Sequence, residues 1–109
     1  MALQHIELSK NGWFELSLAE QLGNVGSEVD RSLKWFGRNE NNFKSACARA
    51  LELLDLTIQD PRWRDRLREI TRAREVLCDA LTGGEEYKTS FEDLNRYFFY
   101  FALASRLKR

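Results

Sequence analysis

Apolar side chains recur along this chain at alternating spacings of three and four, the period of helices that bury one face. Leu18, Leu22, Val25, Val29 and Leu33 or Phe36 form one stripe. Phe43, Cys47, Ala50, Leu54 and Ile58 form a second, widened by Ala46, Leu51 and Leu53, and Trp63, Leu67, Ile70, Leu77 and Leu81 form a third. The boundaries are marked as clearly as the interiors. Ser17 and Glu20 have the spacing of a capping box, Gly37 is a stop, and Asn39 can cap the second helix. Asp60 as N-cap, Pro61 at the first helical position and Gly83-Gly84 as the exit punctuate the third. The pattern predicts an all-α fold, an antiparallel up-and-down four-helix bundle in one domain spanning 1–109, with helices at about 17–37, 40–59, 61–82 and 90–107.

The fourth helix, opening at Thr89 or Ser90 after a loop from Thr82 to Lys88, differs from the others. Its interior reads Tyr97-Phe98-Phe99-Tyr100-Phe101-Ala102-Leu103-Ala104, apolar almost all round. Phe91, Leu94, Phe98 and Phe101 make one stripe, and Phe99, Leu103 and Leu107 make a second on the opposite side. A helix apolar on two faces touches two partners. The spare face meets either a second copy of the chain or its own N-terminal segment.

That segment, 1–16, is a short arm or a β-hairpin. A three-residue loop at Lys10-Asn11-Gly12 sets Ile6 opposite Leu16 and Leu8 opposite Phe14, all on one face. The competing reading caps a helix with Asn11 and begins it near Trp13.

Composition narrows the class without changing the architecture. With 43% hydrophobic and 31% charged residues in 109, the chain has core enough for one globular domain without metals or disulfides. Lys+Arg and Asp+Glu are 17 each, so no net field draws it to nucleic acid or an anionic membrane. No apolar run approaches a membrane span and the opening residues lack a signal-peptide pattern, which points to the cytoplasm. Antiparallel packing about Asp60-Pro61 sets Cys47 level with Ala73, leaving Cys78 about 7 Å further along the axis, so two reduced thiols are expected.

Candidate chemistry is sparse. The one histidine, His5, belongs to no cluster with metal-ligand spacing, no glycine-rich phosphate loop is present, and no nucleophile with a base can be assembled by spacing. No catalytic residue, metal or cofactor is therefore assigned. Arg62, Arg64, Arg66, Arg68, Arg72 and Arg74 face only Asp65 and Glu69 in the same stretch, a local excess of four positive charges around Trp63. Arginine with an interleaved aromatic suits nucleic acid, and Arg62, Arg64, Arg66 and Arg68 are the candidate contacts. They spread around more than half the helix, which favours a solvated, salt-bridged surface.

Arg74 follows Ile70 by four and precedes Leu77 by three, so it projects from the apolar stripe and needs an anionic partner. An internal pair with Glu28 or Asp30, with Tyr97 close by, is the first expectation. A cleft in which Arg74, Glu28, Asp30 and Tyr97 hold a small carboxylate or phosphate ligand is the alternative. Ala19, Gly23 and Ser27, with Gly26 beside them, form a small-residue line on the first helix, suited to close approach of the second or to a ligand beside the backbone. Trp35 lies off the main stripe, near Asn24, Glu28 and Arg31, as a cover over the bundle end or a contact residue.

Four helices in about a hundred residues resemble the helical partners and substrate-binding bundles that accompany prokaryotic nucleotidyltransferases, the group that includes the HEPN ribonucleases. The ribonuclease members rely on an arginine followed a few residues later by histidine, and no arginine here has such a histidine. The resemblance implies a nucleotide-binding or accessory bundle and no ribonuclease activity. The leading expectation is a non-enzymatic, cytoplasmic, prokaryotic helical-bundle protein that acts by association with itself or a protein partner, with Phe99, Leu103, Leu107 and Trp35 as interface residues.

Overall fold

A computed structural model describes residues 12–81 and 91–107, with the side chains at 91, 102 and 104–107 outside that description. Four α-helices account for most of it: α1 (Leu18–Trp35), α2 (Glu40–Gln59), α3 (Leu67–Leu81) and α4 (Phe91–Leu107), with a 3-10 segment at Pro61–Arg66. No strand occurs among the described residues.

The caps explain the boundaries. Ser17 Oγ accepts from the Glu20 amide at 3.1 Å while the Glu20 carboxylate accepts from the Ser17 amide at 2.9 Å, a complete capping box. α1 stops where Gly37 takes φ +78°, a left-handed conformation in which a side chain would be strained. Asn39 Oδ1 then accepts from the Asn42 amide at 3.0 Å and opens α2.

α1 packs along both α2 and α4, α2 also packs on α3, and α3 meets α4 more sparsely. Gln21 meets Asp60 and Glu28 meets Arg49, so position falls along α2 as it rises along α1. Gly26 against Phe98 and Asp30 against Asn95 give the same inverse register for α1 and α4. The core between them holds Leu22, Val25, Val29, Leu54, Ile70, Leu77, Leu94 and Phe98, all at most 2% exposed. Removing each such side chain from water contributes on the order of 1.5–3 kcal/mol, which fixes the faces more firmly than propensity does.

Several expectations change. Residues 12 and 13 are helical and 14–16 form a turn and bend, with the Glu15 amide donating to Gly12 O and the Leu16 amide to Trp13 O, so this stretch is not the second strand of a hairpin; residues 1–11 of the expected arm lie outside the described residues. Indole burial explains the turn: Trp13 is folded into the core at 6% exposure. Positions 6 and 8, the expected cross-strand partners, lie outside the described residues, as does the expected loop at 82–88.

The third helix does not run unbroken from residue 61. Trp63 has φ −101° and ψ 23°, and α3 proper begins at Leu67. That offset rotates Leu67 to the surface and leaves Ala73 and Ala80 among the buried contacts. Phe36, the optional end of the first stripe, is exposed and packs on Phe43 with ring centroids 5.3 Å apart. Neither Cys47 nor Cys78 is in a disulfide.

Candidate functional site

The most complete polar arrangement joins the start of α1 to the α2–α3 turn. Gln21, fully buried, donates from its carboxamide nitrogen to Trp13 O at 2.7 Å and to Asp60 Oδ2 at 3.0 Å, and its oxygen accepts from the Trp63 indole at 2.8 Å. The Trp13 indole donates to Thr57 Oγ1 at 3.1 Å, and Thr57 donates onward to Leu53 O at 2.9 Å. Asp60, 2% exposed, also accepts from the Arg62 guanidinium, with Nη2 to Oδ2 at 2.6 Å. Arg62 reaches Leu16 O at 2.6 Å and lies over the Trp63 ring, 4.4 Å from its centroid.

Hydrogen bonding from Arg62, followed by those from its own backbone and from Gln21, holds the Asp60 carboxyl below its usual range against the opposing effect of burial. Both N–H donors of the Gln21 carboxamide and its oxygen are engaged, so Gln21 acts as a structural latch between the start of α1 and the α2–α3 turn. Asp60 was legible only as an N-cap, a role it keeps through the Arg62 amide at 3.1 Å. Gln21, Trp13 and Thr57 had no functional reading, although Gln21 follows Leu18 by three and precedes Val25 by four. A polar residue at a stripe position was the signal.

The expected set of Arg74, Glu28, Asp30 and Tyr97 is not brought together. Arg74 Nε pairs with Asp55 on α2 at 2.6 Å, and Nη1 approaches Cys78 Sγ at 3.6 Å. The carboxylate of Asp55 holds the guanidinium charged, and the two side chains are 37% and 47% exposed, so the arginine sits at the edge of the helix pair and not within it. Glu28 turns to Arg31 and Arg49, and Asp30 to Lys34 and Asn95. The pairing with Glu28 or Asp30 fails because α1 presents these acids to α2 and α4, while Arg74 faces α2.

Three of the six arginines of the basic stretch lie beside carboxylates, one of them within the stretch itself. Arg62 is held by Asp60, Arg66 by Glu69 and Arg74 by Asp55, while Arg64 and Arg68 are exposed.

The arrangement left open to solvent is on α4. Leu94 and Phe98 are buried and Phe101 is half-buried, so the first stripe faces the core as its spacing required. The other half of the helix carries Phe99 at 54%, Tyr100 at 62%, Leu103 at 38% and Tyr97 at 38% exposure. Phe99 and Leu103 are one turn apart and Tyr100 lies three before Leu103, so they form one contiguous apolar patch. Leu107 shares that stripe by position, and its side chain lies outside the described residues. Trp35, 37% exposed, is at the other end of α1, about 14 Å from the level of Gly26, and does not join it.

A groove flanks α4 on each side. One of about 270 Å³ lies between α3 and α4, with Ala73, Val76 and Leu94 as its apolar lining, Glu69, Arg72 and Asp93 as its charged residues, and Tyr97 as a wall. Burial there pushes the Tyr97 phenol up, with Glu69 adding to the shift and Arg66 opposing it. The other, about 300 Å³, lies between α1 and α4 over Gly23, Gly26 and Ser27, bordered by Phe99. Among the described residues no group of three or more His, Cys, Asp or Glu could hold a metal, and no helix is long and apolar enough to cross a membrane.

Against known proteins, no family model matches the chain, and neither does any curated protein or solved structure.

Proposed function

We propose that this chain is a single antiparallel up-and-down four-helix bundle, cytoplasmic and non-enzymatic, whose role is self-association through the exposed face of α4. The observation that carries the reading is the patch of Phe99, Tyr100 and Leu103 on a helix whose opposite face is already buried. Helices of soluble domains ordinarily set charged residues on the solvent side. Three large apolar side chains within one turn are more economically explained by a partner surface than by chance.

Light scattering coupled to size exclusion tests the proposal. A mass of twice the 12.8 kDa of one chain is expected at tens of micromolar, and Phe99→Glu should return it to the monomer. A monomer at every concentration would overturn it.

A second reading, binding of a small ligand, is favoured by the groove between α3 and α4, whose apolar lining ends at the Tyr97 phenol. Its volume of about 270 Å³ falls at or below the range of ~300–1,000 Å³ usual for small-molecule sites, which ranks this reading behind association. RNA binding through Arg64 and Arg68 is weaker still, since Arg62, Arg66 and Arg74 are each already beside a carboxylate. Retention on an RNA column that falls steeply with salt would revive it.

A further inference from the structure

We propose that Pro61–Arg66 is a two-state segment, 3-10 while the stretch at 12–16 is docked beside it and α-helical, continuous with α3, when that stretch is released.

Local sequence and observed conformation disagree here. Asp60 as N-cap, Pro61 at the first helical position and Trp63, Leu67 and Ile70 at spacings of four and three are the signals of an α-helix. The segment instead forms short 3-10 turns joined at Trp63, whose φ −101° and ψ 23° lie outside the α region, with the Trp63 amide donating to Asp60 O at 3.1 Å. Runs of 3-10 structure beyond three or four residues are uncommon, and none of these residues is buried, Trp63 being half-buried at the edge of the core.

The 3-10 form is held by two contacts with the start of α1. The Trp63 indole donates to Gln21 Oε1 at 2.8 Å, and Arg62 Nη2 donates to Leu16 O at 2.6 Å. Gln21 in turn donates to Trp13 O at 2.7 Å, so the docking of 12–16 and the position of Trp63 depend on one side chain. The bond from the Arg62 amide to Asp60 Oδ1, at 3.1 Å, is one that an N-cap accepts in either state.

The α form has contacts of its own. Winding the segment into α3 adds i→i−4 hydrogen bonds over about one and a half turns. It also sets Trp63 one turn before Leu67, which is exposed, so the indole can cover it. Arg62 then stands four before Arg66 and three before Asp65, a repulsion and an attraction of similar size. Each state has contacts that the other lacks, the condition for an equilibrium that an event at either end can shift. Displacement of Trp13 and Leu16 lengthens α3 and swings Trp63 off Gln21.

Nuclear Overhauser effects separate the two forms, since an α-proton lies near the amide of i+4 in an α-helix and near that of i+2 in a 3-10 helix. Trp63→Phe removes the indole N–H and keeps a ring for Leu67; Gln21→Leu removes both Gln21 contacts at similar volume. Effects from the α-protons of 61–63 to the amides of 65–67 should be absent in the unaltered chain and appear in both variants, with the far-UV helical signal rising by about one and a half turns. Retention of the i+2 pattern in both would overturn the proposal, because the 3-10 form would then be intrinsic to the segment. Loss of both patterns would overturn it as well, because the released segment would be coil. Should Gln21→Leu fail to fold, Trp63→Phe decides alone. The coupling is read separately: in Trp63→Phe the Glu15 and Leu16 amides, bonded to Gly12 O and Trp13 O, should exchange with solvent several-fold faster. Unchanged exchange there beside an α pattern at 61–67 would overturn the link to 12–16.

Discussion

A Cβ built on Gly26 would stand 2.7 Å from the Cβ of Phe98 and 3.3 Å from the Phe98 carbonyl carbon and oxygen. α1 and α4 therefore meet at backbone distance, and the glycine is a packing requirement. Gly26→Ala should destabilise the fold by about 1–3 kcal/mol, despite the ~1 kcal/mol by which alanine favours a helix. Urea denaturation of the two proteins measures the difference, and a stabilised variant would contradict the close approach.

Gln21→Ala should cost about 3 kcal/mol, because it removes a donor to buried Asp60 and to Trp13 O and leaves the Trp63 indole without its acceptor. The midpoint of chemical unfolding should fall without a change of slope, since only the native state is altered.

Acid should act through Asp60. Its folded-state pKa is depressed below the unfolded value, chiefly by hydrogen bonding from Arg62. The stability it confers is therefore present above the ordinary aspartate range near ~3.9 and is lost as pH falls through the lower folded-state value. Asp60→Asn should be less stable near neutrality and should show a flatter acid limb, measured as unfolding midpoint against pH from about 6 downward.

Arg74→Ala should lower stability by no more than about 1 kcal/mol, because its partner Asp55 and the arginine itself are both substantially solvated. A melting curve resolves this, and collapse of the fold would restore the buried role that the apolar stripe implied.

Phe99→Glu and Leu103→Glu should leave the unfolding free energy of the monomer within about 0.5 kcal/mol, as surface substitutions do, while abolishing the dimer. Loss of both stability and association would instead mean that the α4 face supports the fold of its own chain.

What was readable in advance divides along a physical line. Local signals survived intact: Ser17 with Glu20, Gly37, Asn39 and Asp60 act within a few residues, and their caps stand where the residue types put them. Facing stripes also survived, since Val25, Leu54, Ile70 and Leu77 are buried as their spacing required. The azimuth of one helix about another did not. Periodicity puts Arg74 on the inner half of its helix but is silent on whether that half looks toward α1 or α2, and a few tens of degrees exchange Glu28 for Asp55. The interruption at Trp63 was hidden for a related reason, since Asp60-Pro61 starts a 3-10 turn as readily as an α-helix. The exposed patch on α4 was the part of the candidate site that could be read, because a second apolar stripe is visible whatever the neighbours do.

The latch around Gln21 also equips the molecule with its own optical reporter. Two of the three tryptophans, Trp13 and Trp63, are bonded into it, and Trp35 stands alone at the far end of α1. Intrinsic fluorescence under mild denaturant will thus be weighted toward the opening of one extremity. Quenching by acrylamide should reach Trp35 first, so the order in which the two ends come apart can be followed without adding a label.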